Sequence, residues 1–339
     1  MSDRSPLVSI IITSYNRAHS IERAIQSALM QDYPNLELVI SDNCSTDNSM
    51  EIIRRYEADP RVRISENETN LGMIPNYKKA TEDIAKGEYI TYISSDDALS
   101  DKHFISEAVV LSNKYPDVLL VLGKLQQFTP DGEIIGQTDE KPFWLKEFFP
   151  GKEVFLKYVE NSWISWGACI MRTKELLELK PFDNPHTSKD IEVNLKLLLK
   201  GNACFINRFC YSQTIDFTNQ SLSTQAEKKI QITEECFEGA YQAAIATYPE
   251  EKPLFDEWRT KVLETFFKQV LISLKIVNAE QFKIFLAYVK KNYNDIYNII
   301  NKDPRWKLMQ ALYHPVFFPA LRILSPKRYN YFRKQTSGV

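Results

Sequence analysis

Gly87-Glu88-Tyr89-Ile90-Thr91-Tyr92-Ile93-Ser94-Ser95-Asp96-Asp97 is the stretch whose reading decides the fold. Its β-branched and aromatic residues read as a strand, and the strand stops at two adjacent carboxylates. In an open α/β sheet, ligands bind in the crevice beyond the carboxyl ends of the strands. Two like charges at such an edge repel unless something positive lies between them. A hard divalent cation carrying a diphosphate meets that need. A strand followed by a turn and a helix cap would use the same residues, because aspartate is common in both roles. The rest of the chain has to separate the two readings.

Upstream, strand and helix signals alternate. Val8–Ile12 is a continuous apolar run, as a strand buried on both faces requires. Ser20–Gln31 follows with Ile21, Ala24, Ile25, Ala28 and Leu29 on one helical stripe. Leu36–Ile40 and Val62–Ile64 read as strands, Met50–Tyr56 and Ile74–Ala85 as helices. Such alternation predicts a parallel, doubly wound sheet. Beyond Asp97 the pattern is mixed. Phe104–Asn113 reads as a helix and Val118–Leu122 as a strand. Asp131-Gly132 marks a turn between Leu125–Phe128 and Glu133–Ile135. Val154–Val159 and Glu175–Leu179 suggest short helices. Ile191–Lys200 is a helix closed by Gly201, and Cys204–Phe209 a late strand. From about Ala226 long helical stretches take over: Ile230–Ala246, Leu254–Leu274 and Glu280–Asn292. The expected division is therefore 1–225 and 226–339.

Bulk properties narrow the function classes. At 339 residues the chain can build a sizeable core, and a net charge of −2 argues against wholesale nucleic-acid binding. The charge is uneven. From Lys302 onward eight basic side chains stand against Asp303 alone, interleaved with Trp306, Tyr313, Phe317, Phe318, Tyr329, Tyr331 and Phe332. Basic and aromatic residues together suit an anionic membrane surface, or else a helical appendage packed on the rest of the chain. The five cysteines are odd in number and show no CxxC spacing, which predicts free thiols in a reducing compartment. Met1-Ser2-Asp3-Arg4 leads into a strand rather than a signal peptide, and no apolar stretch reaches the roughly 20 residues of a spanning helix. A cytoplasmic location is expected.

The strand ends carry the chemistry. Strand 1 finishes in Thr13-Ser14-Tyr15-Asn16-Arg17, where hydroxyls and an aromatic ring can bond to and stack on a nucleobase, or simply form a polar turn. Strand 2 finishes in Asp42-Asn43-Cys44-Ser45-Thr46-Asp47. Asp42 can accept from a base N–H or a ribose hydroxyl, and Asp47 reads as a cap. Asn70-Leu71-Gly72 is a turn that can bring backbone close to a ligand. Neither GxGxxG nor GxxxxGK[ST] occurs, so dinucleotide and P-loop phosphate cradles are missing. A nucleotide diphosphate on this sheet would need a metal, which the paired carboxylates can hold.

Taken in order, Val8–Arg17, Val39–Asp47, Asn70-Leu71-Gly72 and Gly87–Asp97 resemble the successive signatures of family 2 glycosyltransferases with the GT-A fold. The resemblance implies a nucleotide-sugar donor, with a UDP-sugar expected, and an inverting transfer to a hydroxyl of a glycan or lipid-linked acceptor in cell-surface polysaccharide synthesis. It implies nucleotide contacts from Thr13, Tyr15, Arg17, Asp42, Asn70 and Asp96. Asp96 and Asp97 match the end of the family's Asp-x-Asp motif, which holds Mn²⁺ or Mg²⁺. Ser94 departs from the pattern, because the family often has aspartate there. About ninety residues later, Ser188-Lys189-Asp190-Ile191-Glu192 opens a helix where the family has its catalytic base. Asp190 matches that base, Glu192 is the fallback, and Lys189 replaces a frequent glutamate. In isolation Asp190 is also what a helix's first turn favours. Trp163 and Trp166, beside Gly167, could form an acceptor platform or pack in the core. A nucleotidyltransferase would need a glycine in Ser14–His19, and a processive synthase would need spanning helices. A non-catalytic sugar-nucleotide-binding protein is the remaining alternative, resting on Ser94 and Lys189.

Overall fold

A computed structural model of the chain describes residues 4–138, 145–160, 165–183, 190–215, 225–304 and 306–308. Two compact units emerge, divided between Thr214 and Ile215.

The first unit contains, in chain order, β1 (Val8–Ser14), α1 (Ile21–Leu29), β2 (Leu36–Asp42), α2 (Ser49–Arg54), β3 (Val62–Glu66), α3 (Met73–Lys78), β4 (Tyr89–Ser94), β5 (Ala98–Leu99) and α4 (Phe104–Lys114). It continues through β6 (Val118–Phe128), β7 (Ile134–Gln137), β8 (Phe148–Phe149), α5 (Gly151–Leu156), β9 (Cys169–Arg172), α6 (Thr173–Glu178), α7 (Asp190–Lys200) and β10 (Asn202–Thr214). One sheet runs β3-β2-β1-β4-β9-β6-β10-β5, with β7 on β6 and β8 on β10. The pairs β1–β2, β1–β4, β2–β3 and β6–β10 are parallel, and β9 runs antiparallel between β4 and β6. The sheet is therefore mostly parallel, as the alternation of signals predicts, with short antiparallel strands inserted. Ile10, Ile11 and Ile12 are fully buried, which is why the first strand reads as an unbroken apolar run.

Several elements differ from the sequence reading. The two pieces Val118–Leu122 and Leu125–Phe128 are one eleven-residue strand, paired along its length with a β10 that is longer than Cys204–Phe209. Gly123 sits inside that strand because a Cβ there would lie 2.8 Å from Cys210. The helix expected over Ile74–Ala85 is α3 followed by a π-helical turn over Lys79–Ile84. The hairpin at Asp131-Gly132 forms as β6 and β7, and Gly132 has φ +89°.

The second unit is helical: α8 (Ala226–Ile232), α9 (Gly239–Thr247), α10 (Lys252–Val277), α11 (Ala279–Asn292) and α12 (Asn294–Lys302). Phe267 of α10 packs its ring edgewise on Phe285 at 5.8 Å and Tyr293 at 5.2 Å. Asn278 caps α11 by accepting from the backbone N–H groups of Glu280 and Gln281. Among the described residues no helix is long and apolar enough to cross a membrane. All five cysteines are free thiols. Arg305 and residues 309–339, most of the basic aromatic tail, lie outside the described residues, as do Trp163 and Lys189.

Candidate active site

Strand register builds one row of side chains at the carboxyl edge. Thr13 pairs with Ser94 across β1 and β4, and Ser14 pairs with Asp42 across β1 and β2. β6 and β10 also end on this edge, with Phe128 opposite Thr214. The chain leaves the last turn of α7 through Gly201 and enters β10 at Asn202, beside Val118 at the start of β6. That end of α7 is therefore at the amino edge. Asp190 opens the helix at its other end, eleven residues or about 16 Å away along the axis.

The ends of β1 and β2 are held by short-range polar bonds. Asp42 is fully buried, and its two oxygens accept from the Ser45 backbone N–H at 2.8 Å and the Ser45 hydroxyl at 2.6 Å. Asn43 Nδ2 donates to Asn70 Oδ1 at 2.8 Å, and the Leu71 N–H donates to Asn43 Oδ1 at 2.9 Å. Asn67 Nδ2 donates to Asn76 Oδ1 at 2.9 Å, and Asn76 Nδ2 donates to the Ser41 carbonyl at 3.0 Å. Four asparagines thus tie the end of β2 to the Asn70-Leu71-Gly72 turn. Gly72 has φ +88°, which disfavours any side chain there. Asp47 does cap and brace, accepting from Ser49 N–H at 2.9 Å and Ala18 N–H at 3.0 Å. Burial works against its ionised form, but a bond from the Ser49 hydroxyl, together with these two, outweighs it and holds its pKa below the usual carboxylate range. Tyr15 is exposed at the tip of this edge, and the Arg17 guanidinium bonds to the Asn16 carbonyl at 3.2 Å.

Geometry divides the paired carboxylates. Asp97 is 3% exposed; its Oδ2 accepts from the Tyr211 hydroxyl and its Oδ1 from the Thr214 N–H, both at 2.6 Å. Burial, then the charge of Asp96, pushes its pKa up to about 7, with the bonds from Tyr211 and Thr214 pulling the other way. Asp96 is half-buried, and its carboxylate takes no hydrogen bond from the described residues. Its backbone carbonyl accepts from Arg23 of α1, which also donates to the Thr214 hydroxyl at 2.7 Å. Tyr77 brings a third hydroxyl toward Thr13 and Ser94, close enough to feel both aspartates. No cluster of three metal-ligating side chains occurs among the described residues. A single open carboxylate nevertheless suits a cation that takes one or two carboxylates and completes its shell with phosphate oxygens and water.

On the far side, Trp166 stacks on Tyr92 at 4.6 Å and meets Phe182 edgewise at 5.9 Å, so one face of the indole is committed to packing. Its buried Nε1 has no hydrogen-bond partner. Gly167 lies against Tyr211, and a Cβ there would stand 2.0 Å from the ring. Glu192 is 6% exposed and ion-paired with Lys196 at 2.5 Å, whereas Asp190 is half-buried in the first turn of α7. Tyr211, Thr214, Arg23, Tyr77 and the asparagine network are the participants that sequence reasoning missed. Of that network, Asn43 and Asn70 lay in motifs, and Asn67 and Asn76 did not.

A mostly parallel sheet flanked by helices, with an acidic carboxyl edge, defines the class as a GT-A-type transferase fold. The profile of glycosyl transferase family 2 matches residues 9–179, half of the chain. The chain belongs to that family and is a glycosyltransferase. It is 30% identical over 204 residues to the putative colanic acid biosynthesis glycosyl transferase WcaA of Escherichia coli (strain K12), covering 58% of this chain and 67% of the relative. Matches to the next two relatives span only 38% and 22% of their lengths. Among solved structures, S. aureus TarS 1-349 in complex with UDP-GlcNAc superposes with a TM-score of 0.66 at 19% identity, over 98% of this chain and 88% of that one. The mannosyltransferase PcManGT from Pyrobaculum calidifontis in complex with GDP-Man and Mn²⁺ gives 0.55 at 17%, over 98% and 86%. These two likenesses are of fold.

Proposed function

We propose that the chain is a metal-dependent, inverting glycosyltransferase that moves a sugar from a UDP-sugar to a hydroxyl of a glycan or lipid-linked acceptor in cell-surface polysaccharide synthesis. The observation that carries this reading is the shared edge: Thr13 and Asp42 at the ends of the adjacent parallel strands β1 and β2, with Asp96 two residues beyond the end of β4. Thr13, Tyr15, Arg17, Asp42 and Asn70 line the nucleotide. Asp96 holds Mn²⁺ or Mg²⁺ together with the donor diphosphate. Asp97, spoken for by Tyr211 and Thr214, fixes the turn that presents Asp96. When bound, the cation supplies positive charge against the departing diphosphate.

Asp190 is the general base. Its carboxylate takes the proton of the acceptor hydroxyl as that oxygen attacks the anomeric carbon from the face opposite the nucleotide. The anomeric C–O bond to the diphosphate breaks, the nucleoside diphosphate leaves, and configuration inverts. The likeness to WcaA, a putative colanic acid biosynthesis glycosyl transferase, and the UDP-GlcNAc bound by TarS support the pathway type and the nucleotide base. The cationic aromatic residues from Lys302 onward support action beside an anionic membrane, which liposome flotation with and without 302–339 tests.

The primary experiment is thermal stabilisation by UDP- and GDP-sugars with Mn²⁺, followed by donor turnover. A UDP-sugar that stabilises only with the metal and is turned over is expected. Turnover at full rate in EDTA would remove the metal role given to Asp96.

A further inference from the structure

The mechanism above leaves one side chain of α7 unused. Asn194 follows Asp190 by four residues, the spacing at which helical side chains are neighbours. It is 1% exposed, and neither its Nδ2 nor its Oδ1 has a hydrogen-bond partner. Buried amides are rarely left unsatisfied at both ends, and each such case calls for an explanation. Packing offers none, because its sequence neighbours Val193, Leu195, Leu197 and Leu198 are buried apolar residues and another would serve better in a buried position. Nearby charge offers none either. Glu192 is paired with Lys196, Lys200 with Glu178 of α6, and Glu153 with Lys157 at the end of α5. On β6, buried Lys124 lies over the Phe209 ring, and on β10 Arg208 is paired with Asp101 and Glu107. Side chains on a helix lean toward its N-terminus, so the amide leans toward the turn that carries Asp190.

We infer that Asn194 is a positioning residue for Asp190. With acceptor bound, Asn194 Nδ2 donates to one oxygen of the Asp190 carboxylate and leaves the other to face the acceptor hydroxyl. The bond also favours the ionised form, which a general base must have. This inference rests on Asp190 being the base.

The test uses the full chain and whichever of UDP-glucose, UDP-galactose and UDP-GlcNAc it turns over with Mn²⁺, followed as UDP release. Asn194→Leu is expected to lower kcat roughly 10-fold with donor KM little changed, a split that indicates lost transition-state organisation. The acid limb of the kcat–pH profile should move up by about one unit, as loss of a hydrogen bond to a charged group implies. Its Tm should stay level or rise, since an unsatisfied amide is removed. Asn194→Asp keeps the size, sets a second carboxyl beside the base, and should shift the limb in the same direction. An unchanged kcat and an unmoved limb in both variants overturns the proposal, whatever the Tm. Full turnover in Asp190→Asn sinks the underlying reading instead, so the two failures are distinguishable.

Discussion

The two flanks of the candidate site are built on opposite plans. On the nucleotide flank, Asp42, Asn43, Asn67, Asn70 and Asn76 are bonded to one another and to nearby backbone, with Ser14 Oγ the exception. On the acceptor flank, the Trp166 indole N–H and both ends of the Asn194 amide are buried without partners. A preorganised flank binds its ligand without rearranging. A flank with open polar atoms has groups to satisfy when something arrives. On the proposed assignment of the two flanks, the difference teaches that donor recognition is built into the resting fold, while the acceptor side is left to be completed.

That contrast can be broken in five places. The largest effect is expected at Asp190→Asn, which should cut transfer by about 10²- to 10⁴-fold, the usual worth of a positioned base. Isothermal titration with UDP and Mn²⁺ should show unchanged donor affinity in this variant, because the nucleotide flank is untouched. Asp96→Asn should do the reverse, weakening UDP–Mn²⁺ binding at least 10-fold, or about 1.4 kcal/mol. UDP binding without metal should change far less; equal loss in both titrations would deny Asp96 the cation.

Next comes Gly167→Ala. Its Cβ has no room beside Tyr211, so chemical denaturation should show a loss of about 1–3 kcal/mol. Tyr211→Phe keeps the ring and removes both the donor to Asp97 and the acceptor of the Ser94 N–H at 3.3 Å, and it should cost less than Gly167→Ala because no backbone has to move. The smallest effect is a slope. The folded pKa of Asp97 is raised to about 7 from 3.8, so its contribution to stability is full below about pH 4 and lost as pH rises toward 7. In EDTA, Tm should therefore fall across that window more steeply in the parent than in Asp97→Asn.

The nucleotide flank was legible because its information is local. Val8–Ile12, Leu36–Ile40 and Tyr89–Ile93 are strands in the fold, and the turn signals at their ends fall where the polar bonds lie. The second half was harder. A glycine and a lysine at 123–124 made one strand read as two, although burial of Lys124 over Phe209 keeps it in the sheet. β5 and β8 are two residues each and exist only through pairing with β10. Tyr211 had no visible role because its partner lies far along the chain, and no periodicity encodes such a bond. Trp166 was left between platform and core, and stacking on Tyr92 assigns its face to packing while its N–H stays open.

The bond between Tyr211 and Asp97 spans 114 residues, and it bears on how the protein is made. While a ribosome extends the chain, Asp97 emerges long before the strand that will hold it. At 5–20 residues per second the gap is on the order of ten seconds. Throughout it the acidic turn has no phenol and no Thr214 amide to close on. The sheet can begin to assemble from β1 to β4, but its functional edge waits for the last strand of the first unit. A nascent chain arrested before residue 214 should therefore hold a half-built nucleotide flank with an untethered acid, unable to bind donor until β10 arrives.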